Sequence, residues 1–395
     1  MSIRRAAEVW VASLQLGLTS FGGPLAHLGY FERAYVQQRK WLTGQEYGNL
    51  VALCQILPGP ASSQVGFLIG LHRAGWAGAL AAWLGFTLPS VLLMYAAAAL
   101  APRWHGSPAQ ATLHGLQLVT VVVVAQAVWS MARRLCPDRA TSAIALIAAS
   151  MLLLRGGATM QLAALGVGAA AGAVLCRNAR FESTTLSISV RPALAWTALG
   201  LYGLLLVGLP ILAVSFPPHS LIAWSEIFYR AGALVFGGGH VVLPLLRDAM
   251  VPGGWISDEQ FLTGYGLAQA VPGPLFALAA YLGAASNATQ VPAVGAAVAV
   301  VFIFLPGLLI ATAAVSLWSV LARSPNAPAT LAGINAAVVG LLGAALYNPV
   351  WTTAVRDGAD AAIAIVALVL LQRWGAAPIA VVLICVVLSL LRTLL

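Results

Sequence analysis

Gln55-Ile56-Leu57-Pro58-Gly59-Pro60 returns 214 residues later as Gln269-Ala270-Val271-Pro272-Gly273-Pro274. Both copies interrupt apolar runs that otherwise read as helix. Proline lacks the backbone N–H that a helix needs, and it disfavours helical geometry at the residue before it. Two prolines around one glycine therefore end a half-helix and free several backbone groups. With a half-helix restarting at Pro60, the N–H groups of Ala61, Ser62 and Ser63 face the break at the positive end of the helix dipole, which suits an anion. Ser62, Ser63 and Gln64 add hydroxyl and amide donors, whereas the second copy continues with Leu275, Phe276 and Ala277 and offers backbone alone. Gln55, Pro58, Gly59, Pro60, Ser62, Ser63, Gln269, Pro272, Gly273 and Pro274 are thus candidate substrate-binding residues, with the two glutamines expected at one cavity. The competing reading is a paired kink that serves packing only.

The recurrence extends outward from this motif. Phe21-Gly22-Gly23 returns as Phe236-Gly237-Gly238, and Trp41-Leu42-Thr43 as Trp255-Ile256-Ser257. Phe86-Thr87-Leu88-Pro89 matches Ile303-Phe304-Leu305-Pro306, and Thr112-Leu113-His114-Gly115 matches Thr330-Leu331-Ala332-Gly333. The offset stays between 214 and 218, a register that scattered coincidences would not keep, so one ancestral unit has been duplicated. The expected division is a first repeat over residues 1–180, a linker with an extra helix over 181–220, and a second repeat over 221–395.

Composition fixes the setting. The chain is 61% hydrophobic and 8% charged, against roughly 45–50% and 25% in soluble domains. Apolar runs recur at about the 20 residues needed to cross a hydrocarbon core. Helices are expected near 7–23, 47–70, 76–101, 110–132, 141–154 and 160–176, then 194–216, 221–238, 261–285, 291–321, 329–350, 359–373 and 376–394. The predicted class is an all-α polytopic membrane protein with about 13 (10–13) spans. The short runs also read as re-entrant segments. Six helices, one extra and six more would invert the second repeat. With a cytoplasmic N-terminus, Arg4, Arg5, Arg73, Arg133, Arg134, Arg139, Arg177, Arg180, Arg191, Arg247, Arg323 and Arg373 fall inside, as cationic loops should. Arg33, Arg39 and Lys40 fall outside with Arg103, Arg155 and Arg356, and those three oppose the scheme.

The net charge of +9 is dispersed between apolar runs, which argues against nucleic acid as a partner. Cys54, Cys136, Cys176 and Cys385 have no metal-ligand or redox spacing; no metal and no cofactor are expected. No nucleotide-binding glycine motif and no Ser/His/Asp set point to a soluble-type enzyme. Inverted repeats with Gly/Pro-interrupted helices at matching positions are instead the signature of secondary transporters, with the site at the repeat interface. An anion channel or a membrane-embedded enzyme is the different-class alternative.

Other candidates surround the breaks. Gly22, Gly23, Gly237, Gly238 and Gly239 permit close backbone approach, either to a ligand or to a crossing helix. His27 and His240 lie beside these turns as coupling candidates, against the blander reading of satisfied structural histidines. Glu226 and Arg230 share one helix face at i, i+4. Intramembrane ionisable residues are functional hypotheses by default, and an arginine fork suits a tetrahedral oxyanion. Arg230 is therefore a substrate-binding candidate and Glu226 a coupling one, unless the two only neutralise each other.

With Phe21-Gly22-Gly23-Pro24 and His27, Gln55 through Pro60, Phe236 through His240 with Pro244, and Gln269 through Pro274, the chain resembles the chromate ion transporter family in its long, two-domain form. The resemblance covers nearly the whole chain. It implies a multi-pass exporter of the bacterial inner membrane that lowers cytoplasmic chromate and confers resistance. It implies energy from the membrane potential or protons, and sulfate as the related oxyanion. A homodimer in the bilayer is compatible with this reading. The missing polar side chains after Pro274 depart from a symmetric two-lobed site.

Overall fold

The computed structural model describes residues 2–21, 23–100, 107–177, 188, 190–217, 220–236, 239–286, 291–323 and 326–394. These residues form helices and no strand. In chain order they are α1 (Ser2–Thr19), α2 (Gly23–Phe31, continued as a π-helix over Glu32–Gln38), α3 (Gly44–Ile56), α4 (Ala61–Leu100), α5 (Ser107–Leu135), α6 (Arg139–Leu154), α7 (Ala158–Leu175) and α8 (Pro192–Val214). There follow α9 (Leu221–Leu234), α10 (Val242–Met250), α11 (Asp258–Ala270), α12 (Leu278–Ala285), α13 (Pro292–Arg323), α14 (Ala327–Ala345), α15 (Thr352–Ala354), α16 (Gly358–Arg373) and α17 (Pro378–Leu394).

Five helices among the described residues are long and apolar enough to cross a membrane: Ala61–Leu100, Pro108–Leu135, Pro192–Val214, Pro292–Leu317 and Ala327–Ala354. Four shorter apolar helices accompany them, at Arg139–Leu154, Thr159–Leu175, Leu275–Ala285 and Pro378–Arg392. The expected helix at 47–70 is in fact α3 and the start of α4, parted at the Pro-Gly-Pro break. Its counterpart at 261–285 is α11, a 3₁₀ turn over Leu275–Ala277, and α12. The chain is a multi-pass helical membrane protein.

Two compact units cut across the sequence repeats. The first comprises Met1–Tyr95, Phe181–Gly239 and Val271–Ser324; the second comprises Ala96–Arg180, His240–Ala270 and Pro325–Leu395.

In the first unit α4 contains a reversal at the gap between the expected helices 47–70 and 76–101. Ala74 (φ −143°, ψ 20°) and Gly75 (φ 65°, ψ −155°) leave helical geometry. The backbones on either side then meet so closely that a Cβ on Gly70 would sit 2.3 Å from the Gly78 carbonyl oxygen. Small residues allow this approach, which larger ones would block. The segment from Ala61 to Arg73 thus runs back along α3, and the two form a hairpin whose tip is Pro58-Gly59-Pro60. At its root Trp41 stacks on Tyr35 at 5.2 Å, and the Arg73 guanidinium lies 5.2 Å from the Trp41 ring centre.

The same geometry overturns one expectation. Arg39 and Trp41 line a crevice with Arg4 and Glu8 of α1, and Arg73 bonds Glu8 at 3.1 Å. The chain leaves with α1 and returns through α2 and its π-helical extension, so Arg39 does not lie opposite Arg4 and Arg73. The opposition of Arg39 to the side assignment follows from this returning limb, as an opening hairpin that does not fully cross would require.

Equivalent helix crossings recur elsewhere in the unit. Gly17 of α1 faces the Phe86 carbonyl of α4, and Gly232 of α9 faces the Ile303 carbonyl of α13. These pairs are related by the repeat offset. α8 packs on α9 through the Tyr202 hydroxyl donating to Ala233 O (3.1 Å) and the Tyr229 hydroxyl donating to Tyr202 O (3.0 Å).

The second unit is built around α14, whose Gly333 meets Gly168 and Gly172 of α7 and whose Gly340 meets Ala145 of α6. Polar ties join distant parts of the chain: Ser389 Oγ donates to Ala111 O at 2.8 Å, and Asp360 accepts from Arg392 and meets His114 Nε2 at 2.9 Å. Arg247 of α10 is gripped by both oxygens of Asp258 at 2.8 Å.

Candidate functional site

The two Pro-Gly-Pro turns are each completed by the opposite repeat. Gly59 N–H donates to Val235 O, at the end of α9, at 2.7 Å, and Gly273 N–H donates to Ser20 O, at the end of α1, at 2.8 Å. The positions correspond: 59 with 273, and 20 with 235, at offsets of 214 and 215. Both glycines have positive φ, +114° and +100°, a region that side chains rarely enter. Space forbids a Cβ as well, since it would lie 2.8 Å from Gly307 Cα at Gly59 and 2.0 Å from Ser90 Oγ at Gly273.

The carbonyls of the turns are also satisfied, by different means. Ser90 Oγ donates to Pro272 O at 2.6 Å. Gln64 Nε2 donates to Pro58 O at 2.8 Å and to Gly307 O at 2.9 Å. Ser90 and Gly307 are repeat equivalents, so a side chain lost from one copy is replaced by Gln64 reaching across. This corrects one expectation: both amide hydrogens of Gln64 hold backbone and none is free for an anion.

Around the first break several buried polar atoms remain unsatisfied. Ser20 Oγ, His27 Nε2, Ser63 Oγ, Gln64 Oε1 and Thr87 Oγ1 are buried without a hydrogen-bond partner among the described residues. His27 Nδ1 is 3.4 Å from Ser62 Oγ, and its ring meets Phe86, next to Thr87, edge-on at 5.3 Å. The Ser20 backbone borders the same ring. The first helical bond of α4 runs from Gln64 N–H to Pro60 O, which leaves the amides of Ala61, Ser62 and Ser63 as first-turn donors. A buried polar group without a partner costs about 1–3 kcal/mol, and such groups in native proteins call for an explanation. Hydroxyls, an imidazole N–H and amides together form a donor set for an acceptor-only ligand.

Other predicted residues fall as follows. Gly23 (φ 78°) opens α2, and Gly239 is buried in a 3₁₀ turn; Gly22, Gly237 and Gly238 lie outside the described residues. Gln55 is exposed on α3. Pro274 is followed by buried Leu275, Phe276 and Ala277, so the second break is apolar. Arg230 and Glu226 face each other on α9 as an ion pair at 2.7 Å.

Gln269 and His240 belong to the second unit. There His240 Nδ1 is 2.7 Å from the Tyr265 hydroxyl, and the buried Gln269 Nε2 has no partner among the described residues. Ser20, Thr87, Ser90 and Tyr265 are missing from the sequence reading. Thr87 stands inside a repeated motif and Ser20 directly before another, but only the fold brings them to His27.

Comparisons with known proteins agree on one family. The chromate transporter family profile matches residues 7–176 and again 222–390. A chromate transport protein of Pseudomonas aeruginosa is 28% identical over 351 residues, which is 88% of this chain and 82% of the relative. One from Cupriavidus metallidurans is 27% identical over 365 residues, covering 90% and 84%. A probable chromate transport protein of Synechococcus elongatus is 26% identical over 345 residues, covering 84% and 81%. No solved structure matches the chain. On the strength of two full-length profile matches, one to each repeat, the chain belongs to the chromate transporter family.

Proposed function

We propose that the protein is a secondary transporter that exports chromate across the bacterial inner membrane, conferring resistance, and that the anion binds where α4 begins. The observation that carries the reading is the set of orphaned buried polar groups, Ser20, His27, Ser63 and Thr87, together with the first-turn amides at the start of α4. Chromate is a tetrahedral dianion and accepts hydrogen bonds from every side. In a site shielded from water, charge-assisted bonds are the stronger kind. The unfilled Gln64 Oε1 suits either a neighbouring hydroxyl or an anion that carries one proton. Arg230, balanced by Glu226, lowers the cost of bringing negative charge to membrane depth.

The reciprocal bonds of Gly59 to Val235 and Gly273 to Ser20 support an inverted pair of repeats over 1–180 and 221–395, joined through 181–220. The apolar second break gives that pair one polar lobe. Proton coupling would engage His27, His240 or Glu226. Sulfate has the same shape and charge, so the donor set serves it equally.

Counterflow in proteoliposomes tests the function. Chromate uptake should be stimulated by chromate, and by sulfate if it shares the site, on the opposite face. Retention of preloaded chromate under every gradient refutes export. Flux without trans-stimulation makes the protein a channel.

A further inference from the structure

Trp41-Leu42-Thr43 is a repeated motif that the inner site does not use. It lies at the root of the hairpin whose tip is the first Pro-Gly-Pro turn, and it borders a crevice of about 520 Å³ lined by Arg4, Ala7, Glu8, Val11, Arg39 and Trp41. Arg73 closes the group from the far limb of the hairpin. The guanidinium groups of Arg4, Arg39 and Arg73 gather there around the Glu8 carboxylate, while Glu46 caps α3 through Thr43. Glu8 is taken by Arg73 at 3.1 Å, and the buried Nε of Arg73 has no partner among the described residues. Arg39 holds only neutral acceptors, Gln15 Oε1 at 3.0 Å and Ala34 O at 3.5 Å. The Trp41 ring fixes both arginines, with guanidinium carbons 5.9 Å (Arg39) and 5.2 Å (Arg73) from its centre, through cation–π attraction.

The corresponding turn of the second repeat, Trp255-Ile256-Ser257, is built differently. Its neighbour Arg247 is neutralised by Asp258 and by Asp248 at 3.2 Å. Surplus positive charge is therefore particular to the first repeat. Low-dielectric walls focus such a field and raise the local concentration of anions, while a planar guanidinium matches tetrahedral oxyanions two bonds at a time.

We propose that this crevice is a second anion site, which takes a tetrahedral oxyanion group at the root of the hairpin, ahead of the inner site. α3 has 13 residues, so root and tip stand about 20 Å apart at 1.5 Å per residue. An anion held at the root is one helix length from the donors at the tip. The group recognised belongs either to a free oxyanion or to the phosphate of an anionic lipid.

Arginine modification by phenylglyoxal, read by peptide mass spectrometry, tests the site without any transport. In phosphatidylcholine nanodiscs, added sulfate should slow adduct formation at Arg39 and Arg73 several-fold and leave Arg373 unchanged. In discs containing phosphatidylglycerol, protection before sulfate is added identifies the lipid phosphate as the occupant. Indifference of Arg39 and Arg73 to both overturns the proposal, whatever the inner site does. In proteoliposomes Arg39→Gln should raise KM for chromate several-fold with kcat unchanged and flatten its dependence on ionic strength. Arg39→Lys should restore the ionic-strength dependence but only part of the KM, since an ammonium keeps the charge and loses the two-bond match. A fall in kcat at unchanged KM would also overturn the assignment.

Discussion

Ser63 and Gln64 are neighbours with opposite consequences on mutation. Ser63 Oγ is buried and unpartnered, so Ser63→Ala removes a desolvated group. Thermal stability in detergent should hold or rise, while chromate affinity falls. Loss of one hydrogen bond to a charged ligand is worth about 1.5–3 kcal/mol, or roughly 10- to 150-fold. Gln64→Leu instead strands the Pro58 carbonyl, at about 1–3 kcal/mol, cuts the tie to Gly307 O of α13, and should lower the melting temperature before it alters affinity. Thr87→Val should follow Ser63, and Ser90→Ala should follow Gln64. If all four variants lose stability alike, the orphan set is not a binding site. The Pro-Gly-Pro spelling announces both turns and their positive-φ glycines. Nothing local announces that Ser90 belongs to Pro272 or Ser62 to His27, because those pairings join residues far apart in the chain.

Helix ends show the same division between what is local and what is not. Asp138 caps α6 with a capping box completed by Thr141, and the Thr141 N–H holds its carboxylate below the usual range. A depressed folded-state value means the stabilisation is present above the unfolded value and is lost as pH falls through the folded one. Asp138→Ala should therefore cost about 0.5–2 kcal/mol near neutral pH, and the difference from wild type should fade below about pH 4. Equal melting temperatures at pH 7 would refute the cap. Asp138-x-x-Thr141 is readable from the letters alone. The reversal at Ala74-Gly75 is legible too, because the loop at Arg73 already parts the expected helices at 47–70 and 76–101. The misplacement of Arg39 is not legible, because α2 returns the chain before α3 begins; the hairpin then re-enters from the same side, so Arg73 keeps the side expected of it.

At the scale of the molecule, the compact units and the sequence repeats are different partitions. Residues 1–95 pack with 181–239 and 271–324, so each unit draws on both repeats. A chain cut within 181–220 should give halves that are degraded when made singly. Made together, they should co-purify and recover chromate transport. Independent stability of the 1–180 fragment, seen as a monodisperse peak in detergent, would contradict the interleaving. The duplication was plain from its register of 214–218 residues. The interleaving was not, because register reports ancestry and says nothing about which copies pack together.

The bond from Gly59 to Val235 also has a consequence in time. At roughly 5–20 residues per second of synthesis, the acceptor for the first turn emerges about 10–35 s after its donor. Throughout that interval the nascent first repeat sits in the bilayer with its turn unfinished. Membrane insertion of this protein must shelter an incomplete hairpin until the ribosome delivers the end of α9, and a stall between the two repeats should expose it to quality-control proteolysis.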